Sequence, residues 1–186
     1  MEIVANRHSL LKVIGRKDIS MAVTGKIDRK YMAHYIDAGS LCGGLTPKYE
    51  RLGKDLEEYN VELNPDTETS KNILGESTFK HNGYEVSSDA DPFYADTTSD
   101  LFTALQKIVD GRLKDDNLKT KAVEVHLWTE ATAGKYEAYQ QDCYVVPTSY
   151  GGDTSGYQIP FTVNYVGERV KGKFDISSGT FTADSE

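Results

Sequence analysis

The residue types most able to do chemistry in this chain are a glycine-rich run, a short acidic run, four histidines and two cysteines. The run Gly167-Glu-Arg-Val-Lys-Gly172-Lys173 contains most of a phosphate-binding loop, but Phe174 stands where a Ser or Thr must bind magnesium. The residues that follow alternate as they do in a strand, whereas a phosphate-binding loop opens a helix whose N-terminus faces the phosphate. We therefore expect no nucleotide site here.

The acidic run Asp89-Ala-Asp91 begins like a calcium-binding loop. However, Phe93 and Tyr94 occupy the positions where that loop needs a further ligand and a glycine. Two other acidic pairs, Glu57-Glu58 and Asp115-Asp116, are adjacent residues, and adjacent side chains on a strand point to opposite faces. These carboxylates predict turns and solvated surface rather than a metal or acid–base centre.

The histidines and cysteines do not form a recognisable catalytic or metal-binding pattern. The histidines lack helical i, i+4 pairs and neighbouring cysteines at ligand spacing; they are His8, His34, His81 and His126. His126 shares the less apolar face of its predicted strand with Trp128, which favours a surface or interface histidine. Cys42 and Cys143 are too few for a disulfide scaffold and are expected to be reduced, and only a remote histidine could make Cys143 a nucleophile. We therefore expect no catalytic residue, no metal and no cofactor, and we expect that the protein is not an enzyme.

Charge is distributed unevenly along the 186 residues, which we assign to a single domain, 1–186. The net charge of −8 argues against a general nucleic-acid binder, which needs clustered positive charge. Residues 1–49 carry eight basic and four acidic side chains, residues 50–100 four and thirteen, and residues 101–186 nine and twelve. Two explanations fit this uneven charge distribution. The charges can simply cover solvated faces, or the positive surface of one copy of the chain can contact the negative surface of another. No apolar run is long enough to predict a membrane span or a signal peptide.

The clearest secondary-structure signal is a helix over residues 98–112. Thr97 and Asp100 can form a capping box at its start, and Gly111 lies where a helix would end. Its apolar residues recur at helical spacing and predict one buried stripe, composed of Leu101, Leu105, Ile108 and Val109.

The rest of the chain reads mainly as strands, because apolar residues alternate over residues 123–127, 136–146 and 157–165. Pro160 predicts a sheet edge or a bulge, and a turn near Gly167 leads to a final strand over residues 170–176. Asn82-Gly83 is the strongest short-range hairpin signal, and residues 65–70 are expected to form a polar turn or a long hairpin tip. The predicted fold class is mainly β (α+β).

The order of several segments resembles the major tail tube proteins of long-tailed phages and prophages. The segments are Ile3-Val-Ala-Asn-Arg-His-Ser-Leu-Leu11, Lys71-Asn-Ile-Leu-Gly75 through Gly83-Tyr-Glu-Val86, Asp91-Pro-Phe-Tyr94, Lys121-Ala-Val-Glu-Val-His-Leu-Trp128, Tyr144-Val-Val-Pro147, Gly151-Gly-Asp-Thr-Ser-Gly-Tyr-Gln-Ile-Pro-Phe-Thr-Val-Asn164 and Gly167-Glu-Arg-Val-Lys-Gly172. The likeness covers most of the chain and is weakest over residues 20–56.

The resemblance implies a β-sandwich or small barrel of two packed antiparallel sheets flanked by one helix. It also implies an N-terminal arm or first strand at residues 1–20, a long loop at 43–56 and a C-terminal arm at 177–186. Subunits of that family form stacked hexameric rings in the virion tail, which is assembled in the bacterial host cytoplasm. The implied partners are further copies of the chain, a tape measure protein, a tail terminator and baseplate or distal tail proteins, with no membrane. DNA passes through the lumen without specific binding.

Two groups of site residues follow from the resemblance and from the charge distribution. An acidic lumen would repel passing DNA and leave it mobile. We place its acids at Glu57, Glu58, Glu62, Asp66, Glu68 and Glu76. We assign contacts between subunits or rings to Ile3, Arg7, His8, Lys48, Arg51, Lys54 and Phe181.

Other functions remain open at this stage. One alternative is the inner tube of a contractile tail, a tailocin or a secretion apparatus, which would share the fold. A second is a monomeric β-sandwich binding module of a baseplate or adhesin. An enzyme is the third, and it depends only on Cys143 and the histidines.

Overall fold

The computed structural model describes residues 23–129 and 134–184, and within them the chain is mainly β with one α-helix. The predicted fold class is therefore confirmed, with the strands in curled antiparallel sheets. The predicted arm or first strand at residues 1–20 lies outside the described residues. No helix among the described residues is both long and apolar enough to span a bilayer.

The elements follow one another in this order in the described chain. The strands are β1 Met32–Asp37, β2 Tyr49–Arg51, β3 Pro65–Lys71, β4 Ser77–Tyr84, β5 Ser87–Ala90, β6 Lys119–His126, β7 Lys135–Pro147, β8 Gly151–Asp153, β9 Gly156–Gln158, β10 Phe161–Asp175 and β11 Thr180–Ala183. The helix α1 is Asp100–Gly111, and short 3-10 helices cover Arg29–Tyr31, Ala38–Gly43 and Asp115–Leu118.

Seven strands form one antiparallel sheet in the order β11-β10-β7-β6-β1-β2, with β5 as a further partner of β10. The long strand β10 pairs with β7 along both of its halves, with β5 at its start and with β11 at its end. Two hairpins, β3–β4 and β8–β9, stand apart from this sheet.

The sheet curls until strands near its two ends touch. Phe174 of β10 is fully buried, and its ring centroid lies 4.6 Å from that of Tyr35 in β1 and 5.6 Å from that of Tyr49 in β2. Gln140 of β7 donates a hydrogen bond of 2.6 Å to the Tyr49 hydroxyl on the same side. Because two strands separate β1 from β10 in the sheet, these contacts require a small-barrel shape with an apolar interior.

Helix α1 covers the outer face of the curled sheet. The predicted stripe is confirmed, since all four of its residues, Leu101, Leu105, Ile108 and Val109, are buried in the core that α1 forms with the sheet. The cap differs from the prediction, because Ser99 rather than Thr97 caps the helix by accepting a hydrogen bond from the Phe102 amide at 2.9 Å. Arg112 ends the helix in the left-handed conformation, at φ 46°.

Strand β1 is absent from the sequence prediction, and its burial explains why. All of its residues after Met32 are buried, so the segment shows no alternation of apolar and polar residues. Its last residue, Asp37, is fully buried and accepts hydrogen bonds from the amides of Ser40 and Lys48. Asp37 thereby joins the end of β1 to the following 3-10 turn and to the start of β2.

The predicted hairpin turn at Asn82-Gly83 is wrong. Both residues belong to β4, where Asn82 is the extra residue of a bulge opposite Asp66 and Thr67. The turn of this hairpin lies instead between Lys71 and Ser77, and residues 65–70, predicted as a turn, form most of β3. The Asn-Gly pair, which is typical of a tight turn, forms a β-bulge here instead, because a bulge also tolerates glycine.

Three predictions for the C-terminal third also need correction. The strand predicted over residues 157–165 is interrupted at Pro160, which separates β9 from β10. Gly167 does not end a strand, because β10 continues through a bulge between Val166 and Val170 in which Gly167 takes a φ of 70°. The predicted arm at residues 177–186 contains β11, which folds back on β10, so residues 180–183 are not a free arm.

Barrel closure can be tested at Phe174. Phe174→Ala is expected to lower the free energy of unfolding by about 3–5 kcal/mol, because it leaves a cavity where β1, β2 and β10 meet. The matched control is Phe79→Ala, at a side chain 67% exposed, which is expected to change stability by less than about 0.5 kcal/mol. Urea unfolding measures both, and Phe174→Leu provides a milder variant. Equal losses at positions 174 and 79 would contradict the closed interior.

Candidate assembly surface

The hairpin β3–β4 projects from the domain without packing against a second layer. Every residue of both strands is exposed except Gly83, which is half-buried. Isolated two-stranded hairpins are marginally stable in water and normally need a further strand or a helix on one face. This element therefore has the properties of a surface that a partner completes.

The hairpin tip presents two apolar side chains on an ordered turn. Ile73 is fully exposed and Leu74 is 78% exposed. The side-chain oxygen of Asn72 accepts hydrogen bonds from the amides of Leu74 at 2.9 Å and Glu76 at 3.0 Å. Gly75 takes a φ of 82°, which closes the turn without strain. Adjacent exposed apolar residues on a fixed turn are unusual for a surface that faces water only.

The base of the hairpin is fixed to the domain by hydrogen bonds. The side-chain amide of Asn64 donates to the Glu85 carbonyl at 3.0 Å and to the Ser87 hydroxyl at 3.1 Å. Glu62 and Ser87 bond through their backbones in both directions, at 2.8 and 3.0 Å. These contacts hold the direction in which the hairpin projects.

The predicted lumen acids are all exposed, but they fall into separate groups. Glu57 and Glu58 lie in the segment between β2 and β3, and Glu62 forms the isolated bridge at the hairpin base. Asp66 and Glu68 alternate along β3 and share a face. Glu76 belongs to the tip, so the six predicted acids do not lie on one face of a single pair of strands.

Four of the predicted contact residues lie in the described part of the chain, and three of them are exposed while Phe181 is half-buried. Ile3, Arg7 and His8 lie outside the described residues. Lys48 forms an ion pair with Asp100, and Lys54 forms one with Asp96 at 2.7 Å, so both bind the start of α1 within the same chain. Arg51 is exposed on β2. Phe181 lies in β11 and packs against the interior core of its own chain, which contradicts its assignment to a terminal arm.

A polar cluster lies on the outer face of β1, β6, β7 and β10. Glu124 accepts hydrogen bonds from His126 Nε2 at 2.7 Å and from Arg169 at 2.5 Å. Burial of Glu124 opposes its ionisation, but the bond from His126 and the charge of Arg169 outweigh burial and lower the pKa of this carboxyl group. His126 stacks on Trp128 with 4.1 Å between ring centroids. A carboxylate already held by two donors serves as an anchor rather than as a free general base.

The two thiols lack the environment of a catalytic cysteine. Burial raises the pKa of Cys143 to about 12, and the nearby carboxylates of Asp142 and Asp37 raise it further. Burial also raises the pKa of Cys42, whose Sγ lies 3.7 Å from the Ala104 carbonyl oxygen. Thiolate character is what makes a cysteine nucleophilic, and both groups remain protonated at neutral pH.

The remaining motifs take structural roles. The run from Gly167 to Lys173 lies inside β10. Asp89 belongs to β5 and accepts a hydrogen bond from the Thr162 hydroxyl at 2.8 Å. Among residues 23–129 and 134–184, no three His, Cys, Asp or Glu side chains converge as a metal site would require.

Comparison with known protein families gives no match, and comparison with characterised proteins gives no similar sequence. The geometry defines a β-rich domain with one helix and a projecting hairpin.

His34, beside the polar cluster, makes stability depend on pH. Its side chain is buried beside the Tyr59 ring, and burial lowers its pKa from 6.5 to about 4, although the charge of Glu124 acts in the opposite direction. Between pH 4 and pH 6.5, His34 binds a proton more readily in the unfolded chain than in the folded protein. Stability is therefore fully present above pH 6.5 and is lost as the pH falls towards 4.

We expect His34 to account for a loss of about 2 kcal/mol between pH 7 and pH 5. Urea unfolding of the protein and of His34→Gln at both pH values measures this contribution. The variant should show a shallower pH dependence, whatever its absolute stability. If both proteins lost the same free energy of unfolding between pH 7 and pH 5, titratable groups other than His34 would account for the pH dependence.

Proposed function

We propose that the protein is a structural subunit that assembles with copies of itself into the hollow tail tube of a long-tailed phage. The observation that carries the proposal is the hairpin β3–β4, with an apolar tip and two solvent-exposed faces. The resemblance to major tail tube proteins and the β-rich fold agree with this function. The subunit would belong to stacked rings in the virion, with DNA passing through the lumen.

The energetics favour cooperative assembly over a tight dimer. Burying Ile73 and Leu74 would stabilise each contact by about 3–6 kcal/mol in total. Association costs about 4–15 kcal/mol in lost translational and rotational freedom, so a single tip contact is weak. In a ring or a tube each subunit makes several contacts at once, and the combined binding is much stronger than one contact.

The first test replaces the tip. Ile73→Ser with Leu74→Ser is expected to abolish rings and tubes, because it removes the apolar contact without touching the core. The control is Ile73→Val with Leu74→Met, which keeps the tip apolar and should assemble like the original protein. Negative-stain microscopy and analytical ultracentrifugation over a concentration series measure assembly.

Normal tubes from the double-serine variant would refute the hairpin as an assembly element. A protein that remains monomeric at every concentration would instead favour a monomeric binding module.

The second test concerns the lumen. We propose that Asp66 and Glu68 face passing DNA, since they share one face of β3 while Thr67 and Thr69 alternate with them. Asp66→Lys with Glu68→Lys should slow DNA ejection from assembled particles, because lysines on that face would bind phosphates. Thr67→Lys with Thr69→Lys is the matched control for the opposite face. The lumen placement fails if the first pair leaves ejection unchanged in tubes of normal length.

A further inference from the structure

An apolar groove of about 440 Å³ lies at the C-terminal end of α1. It is formed by the last turn of the helix, the segment that follows it and the end of β7. Its apolar lining consists of Ile108, Val109, Leu113, Leu118, Val146 and Pro147. Ile108 and Val109 form its buried floor, whereas the half-buried Leu113, Leu118, Val146 and Pro147 leave apolar surface in contact with water. The groove is large enough to take two aliphatic side chains.

One cation stands at the rim of this groove. Arg112 ends α1 in a left-handed conformation, and its side chain lies beside Tyr150. Arg112 Nη2 donates a hydrogen bond of 3.0 Å to the Tyr150 hydroxyl, and its guanidinium lies 5.1 Å from the ring centroid. Within the described chain no carboxylate pairs with Arg112. A guanidinium has five donors in a planar fork, so this one can still bind a carboxylate.

The hairpin tip carries the complementary set of groups. Ile73 and Leu74 offer two exposed apolar side chains, and Glu76 follows them after one glycine. One oxygen of the Glu76 carboxylate accepts a hydrogen bond of 2.5 Å from Asn72, and the group forms no ion pair within the described chain. Two aliphatic side chains and one anion thus match an aliphatic groove with one cation at its rim.

We infer that the tip of one copy occupies the groove of another, with Glu76 bound to Arg112. The inference rests on the proposed function of the hairpin and identifies the surface that receives it. Because tip and groove are different surfaces of the same chain, the contact is heterologous. Contacts of this kind continue from copy to copy into closed rings or open polymers rather than ending at a dimer.

The other large concavity fits the tip less well. It measures about 530 Å³, and its lining combines apolar side chains and Glu57 with four cations, Arg29, Lys30, Arg51 and Lys54. The tip offers one carboxylate to these four cations, and Lys71 at the end of β3 would add like charge. This basic cleft therefore serves as the control site.

Disulfide trapping between two pools of protein tests the contact without requiring complete tubes. One pool carries Leu74→Cys in the tip, and the other carries Ser149→Cys in the groove wall, Lys30→Cys in the basic cleft or Ser177→Cys on a remote turn. After mild oxidation, non-reducing gels and peptide mass spectrometry identify the linked positions. Unmodified protein mixed with the tip pool controls for linkage to Cys42 or Cys143.

We expect linkage to position 149 to exceed linkage to positions 30 and 177. Adding Glu76→Arg to the tip pool, or Arg112→Glu to the groove pool, should each reduce the yield at position 149 about tenfold. Combining the two changes should restore the yield, because the ion pair is re-formed with reversed polarity. Arg51→Glu in the groove pool should leave the yield unchanged.

Preferential linkage to position 30, equal linkage at all three positions, or no linkage at 149 would overturn the inference. The inference would also be overturned if combining Glu76→Arg with Arg112→Glu did not restore the yield of linkage to position 149. If any of these is found while the double-serine tip variant still blocks assembly, the groove assignment fails and the proposed function stands. If the double-serine variant assembles normally, the hairpin is not the assembly element and the groove assignment fails with it. If the unmodified protein remains monomeric at every concentration, the proposed function itself fails.

Discussion

Phe174 packs against Tyr35 and Tyr49, and this contact forces the sheet to curl, because two further strands separate β10 from β1. Once the sheet has curled, side chains from its own strands fill the interior. Helix α1 then covers the apolar part of the outer face, where its four buried residues form a core with β7 and β10. Both apolar surfaces of the sheet are thus covered within one chain. The hairpin β3–β4 contributes to neither of these cores, and its strands are exposed to solvent.

Several elements could be predicted from the sequence because a strong periodicity coincides with one buried face. Helix α1 shows the 3.6-residue period of its stripe, and β6 shows the two-residue alternation of Val123 and Val125 with more exposed neighbours. Strand β1 has no such pattern, since both of its faces are buried. The hairpin turn was misplaced for a different reason. Asn82-Gly83 suits a tight turn or a bulge equally well locally, and the pairing of β3 with β4 decides between them.

The candidate site shows the same limit. The acids of the middle segment were identifiable from charge alone, but charge does not indicate which share a face, and only Asp66 and Glu68 do so on β3. Arg112 and Tyr150 were not predicted to act together, because they are far apart in sequence and meet only through the tertiary fold. The sequence shows Ile73 and Leu74 as adjacent apolar residues, but it did not identify them as a hairpin tip, because their exposure follows only from the position of the turn.

The internal ion pairs change what the uneven charge distribution means for assembly. Lys48 and Lys54, assigned to contacts between copies, are paired with Asp100 and Asp96 of their own chain. These pairs are exposed, and exposed pairs contribute little to stability, but they do reduce the positive surface available to a neighbour. Attraction between a basic first quarter and an acidic middle is therefore weaker than the charge counts suggest. In the proposed assembly, apolar burial at the hairpin tip would then supply most of the binding free energy, while charge at the rim would select which groove the tip enters.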